Sequence, residues 1–163
     1  MTKNTKLKII TVKKGKILQR KGDLNTKVYI VESGLLRSYI IDDKGKEHIY
    51  MFGAENWLVT DNCDIDTPCQ LFIDALEDSS IKVATKEELK NSNPDIEPLL
   101  RRLNTMQNRI IMLMSSNATI RYLHFIETYP DIVQRIPQKM IASYLGITPE
   151  ALSRVRNELA HRK

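Results

Sequence analysis

At 163 residues, 42% of them hydrophobic, the chain has the length of one domain or two small ones and enough apolar content to bury a core. No apolar run exceeds a few residues, which excludes a membrane-spanning helix, and the opening MTKNTKLKII is charged and lacks the apolar core of a signal peptide, so a soluble cytoplasmic protein is expected. The net charge of +5 is uneven, with 12 basic and 5 acidic groups in residues 1–50, 3 and 11 in residues 51–100, and 10 and 4 in residues 101–163.

From Leu7 to about Thr85 the pattern is one of short strands: LKIITV, KILQR, KVYIVES, LLRSYIID, EHIYMF, QLFIDA and SIKVAT. Turn residues separate them at Lys14-Gly15, Lys21-Gly22-Asp23, Ser33-Gly34 and Asp42-Asp43-Lys44-Gly45, the last reading as a hairpin. No helix-length pattern interrupts these runs, so an antiparallel sandwich or barrel is expected rather than a parallel α/β sheet. Cys63 and Cys69 have no secretory context and no nearby histidine, so they are expected to be reduced structural thiols rather than a disulfide or a zinc site.

The period changes near Lys86. KEELKNSNPD predicts a short helix and a break at Asn93-Pro94. Leu99, Leu103, Met106, Ile110 and Leu113 then recur at spacings of four, three, four and three, an a/d seam widened by Leu100, Ile111 and Met114. Such a helix can pack on its own domain or on a second copy, and a homodimer is expected with this seam as its interface. A further helix is predicted over about 119–128, ended by Tyr129-Pro130-Asp131, with a module boundary around 116–119.

Residues 137–156, PQKMIASYLGITPEALSRVR, carry the strongest pattern. Ile141 and Leu145 form one inward face, Leu152 and Val155 the next, and Ala142 is small where two helices would cross. Gly146 stands where the chain must turn through a left-handed residue, Ile147 plugs the turn, Thr148 can cap the second helix, and Pro149 follows at its first position, where no N–H is needed. An ordinary helical hairpin is the plainer alternative, but few combine all these features. The pattern predicts a helix-turn-helix whose second helix presents Glu150, Ser153 and Arg154 to the DNA major groove. Thr148 and Pro149 flank that face, and Arg156 and Lys139 are candidate phosphate contacts. The basic C-terminal third would attract a polyanion, whereas the acidic middle would repel one.

With these segments in view, the chain resembles the Crp/Fnr family of bacterial transcription regulators over nearly its whole length. VYIVESGLLRSYIIDDKGKEHIYMFGAENWL is similar to the strand–turn–hairpin passage of the family's cyclic-nucleotide-binding β-roll. RYLHFIETYPDIVQRIPQKMIASYLGITPEALSRVR resembles the C-terminal module of shorter, often orphan members from Bacteroidetes-like bacteria. The resemblance implies an α+β chain: a β-roll of jelly-roll type over 1–93, a dimerisation helix over 94–117 and a helix-turn-helix domain over 118–163. It also implies a homodimer on a palindromic promoter site, with double-stranded DNA and RNA polymerase as partners. The leading segment before the first strand is expected to be shorter than is usual in the family.

Two departures bear on chemistry. The family opens its recognition helix with Arg-Glu-x-x-x-Arg; here those positions are Pro149, Glu150 and Arg154, so one bidentate base contact of about 1–3 kcal/mol is missing. The family holds a cyclic nucleotide's phosphate with a Gly-Glu pair and a later Arg-Ser. Here Glu55 stands near Gly53, but Pro68-Cys69 replaces the Arg-Ser pair and Asp61, Asp64 and Asp66 lie close in sequence. A phosphate there would lack its counter-charge, so cyclic AMP is not expected to bind tightly and no cofactor is expected. Gly53, Glu55, Trp57, Pro68 and Cys69 mark where an effector pocket would lie, with Trp57, Tyr39, Tyr50 and Phe72 as core or cavity aromatics. No nucleophile–base pair, phosphate-cradling glycine loop or metal cluster points to an enzyme. The rival reading is a β-roll sensor of small molecules whose C-terminal module contacts protein.

Overall fold

Eight strands precede five helices among the described residues of the computed structural model, which are 7–91, 95–115 and 117–161. The strands are β1 (Lys8–Val12), β2 (Ile17–Gln19), β3 (Lys27–Ser33), β4 (Leu36–Ile41), β5 (Glu47–Gly53), β6 (Leu58–Val59), β7 (Phe72–Ala75) and β8 (Ser79–Thr85). They form two four-stranded sheets, ordered β1-β8-β3-β6 and β2-β7-β4-β5, with every pairing antiparallel. The antiparallel arrangement expected from the strand runs, and the α+β class and jelly-roll-like β domain implied by the family resemblance, are what the structure shows. β6 lies outside those runs, because two residues carry no period.

Alternation along the strands sends one side of each sheet into a shared core. Val12, Tyr29, Val31, Val59 and Ile81 from the first sheet meet Leu36, Ile73 and Ala75 from the second. The predicted hairpin joins β4 to β5: Asp42 accepts the N–H groups of Lys44 and Lys46 at 2.9 Å each, and Gly45 adopts φ +78. Gly34 is required for a second reason besides its φ of +96. A Cβ there would stand 2.3 Å from Ser79 Oγ and 2.7 Å from the Asp78 carbonyl.

Off that core, Arg37 is buried and bridges two carboxylates. Its Nε and Nη2 donate to the two oxygens of Asp74 at 2.9 Å each, its Nη1 donates to Glu47, and its guanidinium lies 4.1 Å from the Tyr39 ring centroid. Tyr39 in turn stacks on Phe72 at 5.3 Å, so both aromatics are packing partners.

α1 (Lys86–Asn91) starts with a capping box in which Glu88 N–H donates to Thr85 Oγ1 at 3.0 Å and Thr85 N–H donates to Glu88 at 2.7 Å. The expected break at Asn93-Pro94 lies outside the described residues, as does Ser116 of the module boundary. α2 (Glu97–Ser115), α3 (Ala118–Thr128), α4 (Gln138–Leu145) and α5 (Pro149–His161) follow. Asn117 caps α3 by accepting the Ile120 N–H at 3.0 Å, and Tyr129 ends that helix as the sequence predicts. The chain forms two compact units, Met1–Arg102 and Leu103–Lys163, so α2 contributes residues to both.

The long helix inverts the usual amphipathic arrangement. Arg102 is 2% exposed, and Thr105 and Met112 are also buried. Of the seam, Leu103 is 60% and Ile110 56% exposed; Leu99 and Leu113 are exposed as well, and Met106 is half-buried. Arg102 is accounted for within its unit, donating to the carbonyls of Leu58 at 3.3 Å and Thr60 at 2.8 Å.

Candidate nucleic-acid interface

α4 and α5 make the two arms of the motif. Ile141, Ala142, Leu145, Leu152 and Val155 are all buried, which is the inward set that the spacing predicts. Gly146 turns the chain with φ +64 and ψ +33, a left-handed conformation that costs a side chain about 1–2 kcal/mol. Its N–H returns to the end of α4, and Ile147, half-buried, donates to the Ala142 carbonyl at 3.1 Å.

Thr148 caps α5, with its Oγ1 accepting the Ala151 N–H at 3.2 Å and its carbonyl accepting the Leu152 N–H at 3.0 Å. Pro149 is the first residue of α5, where proline's missing donor is harmless. Glu150, Ser153 and Arg154 are exposed side by side on the outer face; Arg156 is half-buried, and Lys139 is exposed on α4. The Glu150 carboxyl is held below its ordinary range, first by its own backbone N–H, then by the Thr148 hydroxyl and by Arg154. It is therefore an ionised acceptor at neutral pH. The arrangement offers one acceptor, one hydroxyl and one fork-shaped donor on a convex helix edge, with phosphate-length cations beside it.

The periodicity does not single out two arginines that complete the module. The last four carbonyls of a helix need partners from outside it. In α4 the turn backbone serves Ala142 and Ser143. Arg109 of α2 donates to the Tyr144 carbonyl at 3.0 Å, and Arg121 of α3 donates to the Leu145 carbonyl at 3.0 Å. Arg121 also donates to the Leu113 carbonyl at 3.1 Å, and the Arg109 guanidinium lies 4.2 Å from the Tyr144 ring centroid. Tyr144 packs edge-on against Phe125 at 5.4 Å and Tyr129 at 5.6 Å.

In the β domain, the residues marked for an effector pocket take up structural contacts. Gly53 is buried, and a Cβ on it would collide with Val59 Cγ2 at 2.2 Å. Glu55 is exposed and accepts the Gly34 N–H at 3.1 Å; Trp57 is half-buried and Pro68 exposed. Cys69 is buried, its thiol donating to the Arg20 carbonyl at 2.9 Å, and burial pushes that thiol up in pKa. Both cysteines are free.

The loop between β6 and β7 is organised by a residue read from sequence only as one of three repelling acids. Asp61 is buried and accepts the backbone N–H groups of Leu71 at 2.8 Å, Gln70 at 2.9 Å and Cys63 at 3.0 Å. Burial alone would raise its pKa, but these three donors outweigh it and hold the carboxyl below its usual value. Asp64 and Asp66 are exposed. Lys86 donates to the Cys63 carbonyl and lies 3.3 Å from its sulfur.

The two-sheet roll and the capped helical module that follows it can be compared with known proteins. The model of the cyclic nucleotide-binding domain matches residues 9–91. Among curated relatives, the fumarate and nitrate reduction regulatory protein of Yersinia pestis is 29% identical, covering 88% of this chain and 65% of the relative. The anaerobic regulatory protein of Aggregatibacter actinomycetemcomitans is 26% identical, covering 88% and 63%. The chain thus spans just under two thirds of the length of these relatives. Among solved structures, a CRP/FNR-family transcriptional regulator from Thermus thermophilus superposes with a TM-score of 0.77 at 17% identity, covering 95% of this chain and 87% of that one. FixK2 from Bradyrhizobium japonicum gives 0.76 at 18% identity, covering 96% and 85%. The chain belongs to the cyclic nucleotide-binding domain family, and beyond that domain it is similar to these regulators over most of its length.

Proposed function

We propose that the protein is a sequence-specific DNA-binding regulator that acts as a homodimer on a palindromic promoter site. The observation that carries this reading is the α4–turn–α5 geometry: a left-handed Gly146, a Thr148 cap and an outer face of Glu150, Ser153 and Arg154. Glu150 accepts from cytosine N4, Arg154 donates to guanine O6 and N7, and Thr148, Ser153, Lys139 and Arg156 supply backbone or base contacts around Pro149. The uncovered seam on α2 supports the dimer, because leucines and isoleucines left in water at heptad spacing are apolar area that a second copy removes. Two such helices place recognition helices about one DNA turn, ~34 Å, apart.

The β-roll holds a degenerate effector pocket that does not take cyclic AMP. Three N–H groups of the β6–β7 loop already face the Asp61 carboxylate, and a second anion there would meet that charge with Pro68 where an arginine would be needed. Calorimetry showing sub-micromolar cyclic AMP affinity would overturn this part.

The central experiment selects bound sequences from a random DNA pool, with and without a metabolite extract. Palindromic enrichment that weakens steeply with salt is expected. Arg154→Ala should then relax base preference at one position per half-site. Unchanged affinity and preference in that variant would refute the assigned face.

A further inference from the structure

The last two carbonyls of α4 are met by arginines from other helices. Arg109 comes from α2 and Arg121 from α3; together they take the Tyr144 and Leu145 carbonyls, while Arg121 reaches back to the Leu113 carbonyl of α2. A guanidinium suits this task because its planar donors hold two carbonyls in a fixed geometry, whereas an ammonium supplies a single movable charge. Both cations also oppose the partial negative charge at the carbonyl end of α4. The stack of Arg109 on Tyr144 extends the clamp into the Phe125–Tyr129–Tyr144 aromatic cluster.

The turn residue lies under the same clamp. A Cβ on Gly146 would stand 3.6 Å from both Arg121 Nη1 and Leu113 Cδ2, so α2, α3 and the turn are in contact at one point. The turn leads directly into Thr148 and α5. The direction in which α5 leaves is thereby referred to the 103–115 portion of α2, which carries Leu103, Ile110 and Leu113 of the exposed seam.

We infer that Arg109 and Arg121 are positioning residues for DNA reading: they fix the angle of the recognition helix to the long helix and so set the half-site spacing the dimer accepts. The inference rests on the proposed dimeric DNA reader. A positioning role has a signature that loss of stability lacks. Adding or removing one base pair between half-sites moves one of them by ~3.4 Å and turns it by ~34°. A rigid module rejects that change, whereas a loosened one follows it.

The test uses the full chain, with duplexes built from the selected palindrome and with spacers one base pair shorter, equal and one longer. For the unaltered protein the correct spacer is expected to win by roughly tenfold or more. In Arg109→Met that advantage should shrink to roughly threefold or less, while base preference within each half-site stays unchanged. Arg109→Lys, which keeps the charge and N–H donors but not the planar guanidinium, should fall between. If Arg109→Met lowers affinity equally at all spacers, or leaves the spacer preference intact, the inference is wrong. The clamp is read independently of DNA by hydrogen exchange. Amides over 141–152 should exchange at least several-fold faster in Arg109→Met, with those of α3 unchanged. Unchanged exchange over 141–152 overturns the clamp itself, whereas faster exchange in a protein that selects no DNA overturns only the reading on which it rests.

Discussion

At the scale of single residues, stability depends on polar groups matched to particular backbone donors and charged partners. Asp61 faces three backbone donors, those of Cys63, Gln70 and Leu71, the last standing directly before β7. Because the folded carboxyl lies below its ordinary value of 3.8, folding favours the ionised form. Its stabilisation is therefore fully present above the unfolded pKa and is lost as pH falls through the lower, folded value. Asp61→Asn keeps only one acceptor oxygen and turns an NH2 towards N–H donors. A loss of about 2–3 kcal/mol is expected at pH 7 by urea denaturation. The gap between variant and unaltered protein should narrow as pH drops below ~4. A pH-independent gap would mean that the carboxylate's charge is not what organises the loop. Arg37 is the complementary case, a buried cation whose two carboxylates make it a structural group rather than a binding one.

At the scale of elements, local signals decide what can be read in advance. The α5 start is local: Thr148, Pro149 and Ala151 settle it among themselves. Thr148→Ala should destabilise by about 1 kcal/mol, with Thr148→Ser retaining most of the stability, as thermal unfolding would show. Equal melting of Ala and Ser variants would remove the cap from the account. For the same reason the Asp42–Gly45 hairpin, the α3 end and the inward faces of α4 and α5 are legible in the sequence. The burial of α2 is not. Its seam predicts a leucine face that packs, yet the residues packed in a single copy are Arg102, Thr105 and Met112. Arg102 goes inward because the Leu58 and Thr60 carbonyls receive it, and no periodicity encodes partners more than forty residues away. Arg109 and Arg121 escape the pattern in the same way, each matched to a backbone carbonyl of another helix. Asp61 escapes it because its donors are backbone N–H groups of an irregular loop that has no period. The pocket residues rest on likeness to a motif, whereas the contacts that Gly53, Glu55 and Cys69 make are tertiary.

At the scale of the whole molecule, charge and apolar surface point in the same direction. Acidic groups outnumber basic ones by 11 to 3 over residues 51–100, while residues 101–163 reverse the balance at 4 to 10, so a polyanion is drawn to the helical end of the chain. Attraction of this kind is not selective; the proposed selectivity for a palindrome needs two readers held together, and the exposed α2 seam is the surface proposed to join them. Leu103 and Ile110 are both more than half exposed, so replacing them with glutamate removes little from the packing of one chain. In a dimer the same changes would bury like charges against each other at adjacent turns of both helices. The double variant Leu103→Glu/Ile110→Glu should therefore sediment as a monomer while retaining the secondary structure of the parent by circular dichroism. Its affinity for the full palindrome should drop to that for a single half-site, a loss of roughly 10²–10⁴-fold. A variant that stays dimeric, or a monomer that still binds the whole palindrome as tightly as its parent, would show that the two readers are joined through some other surface.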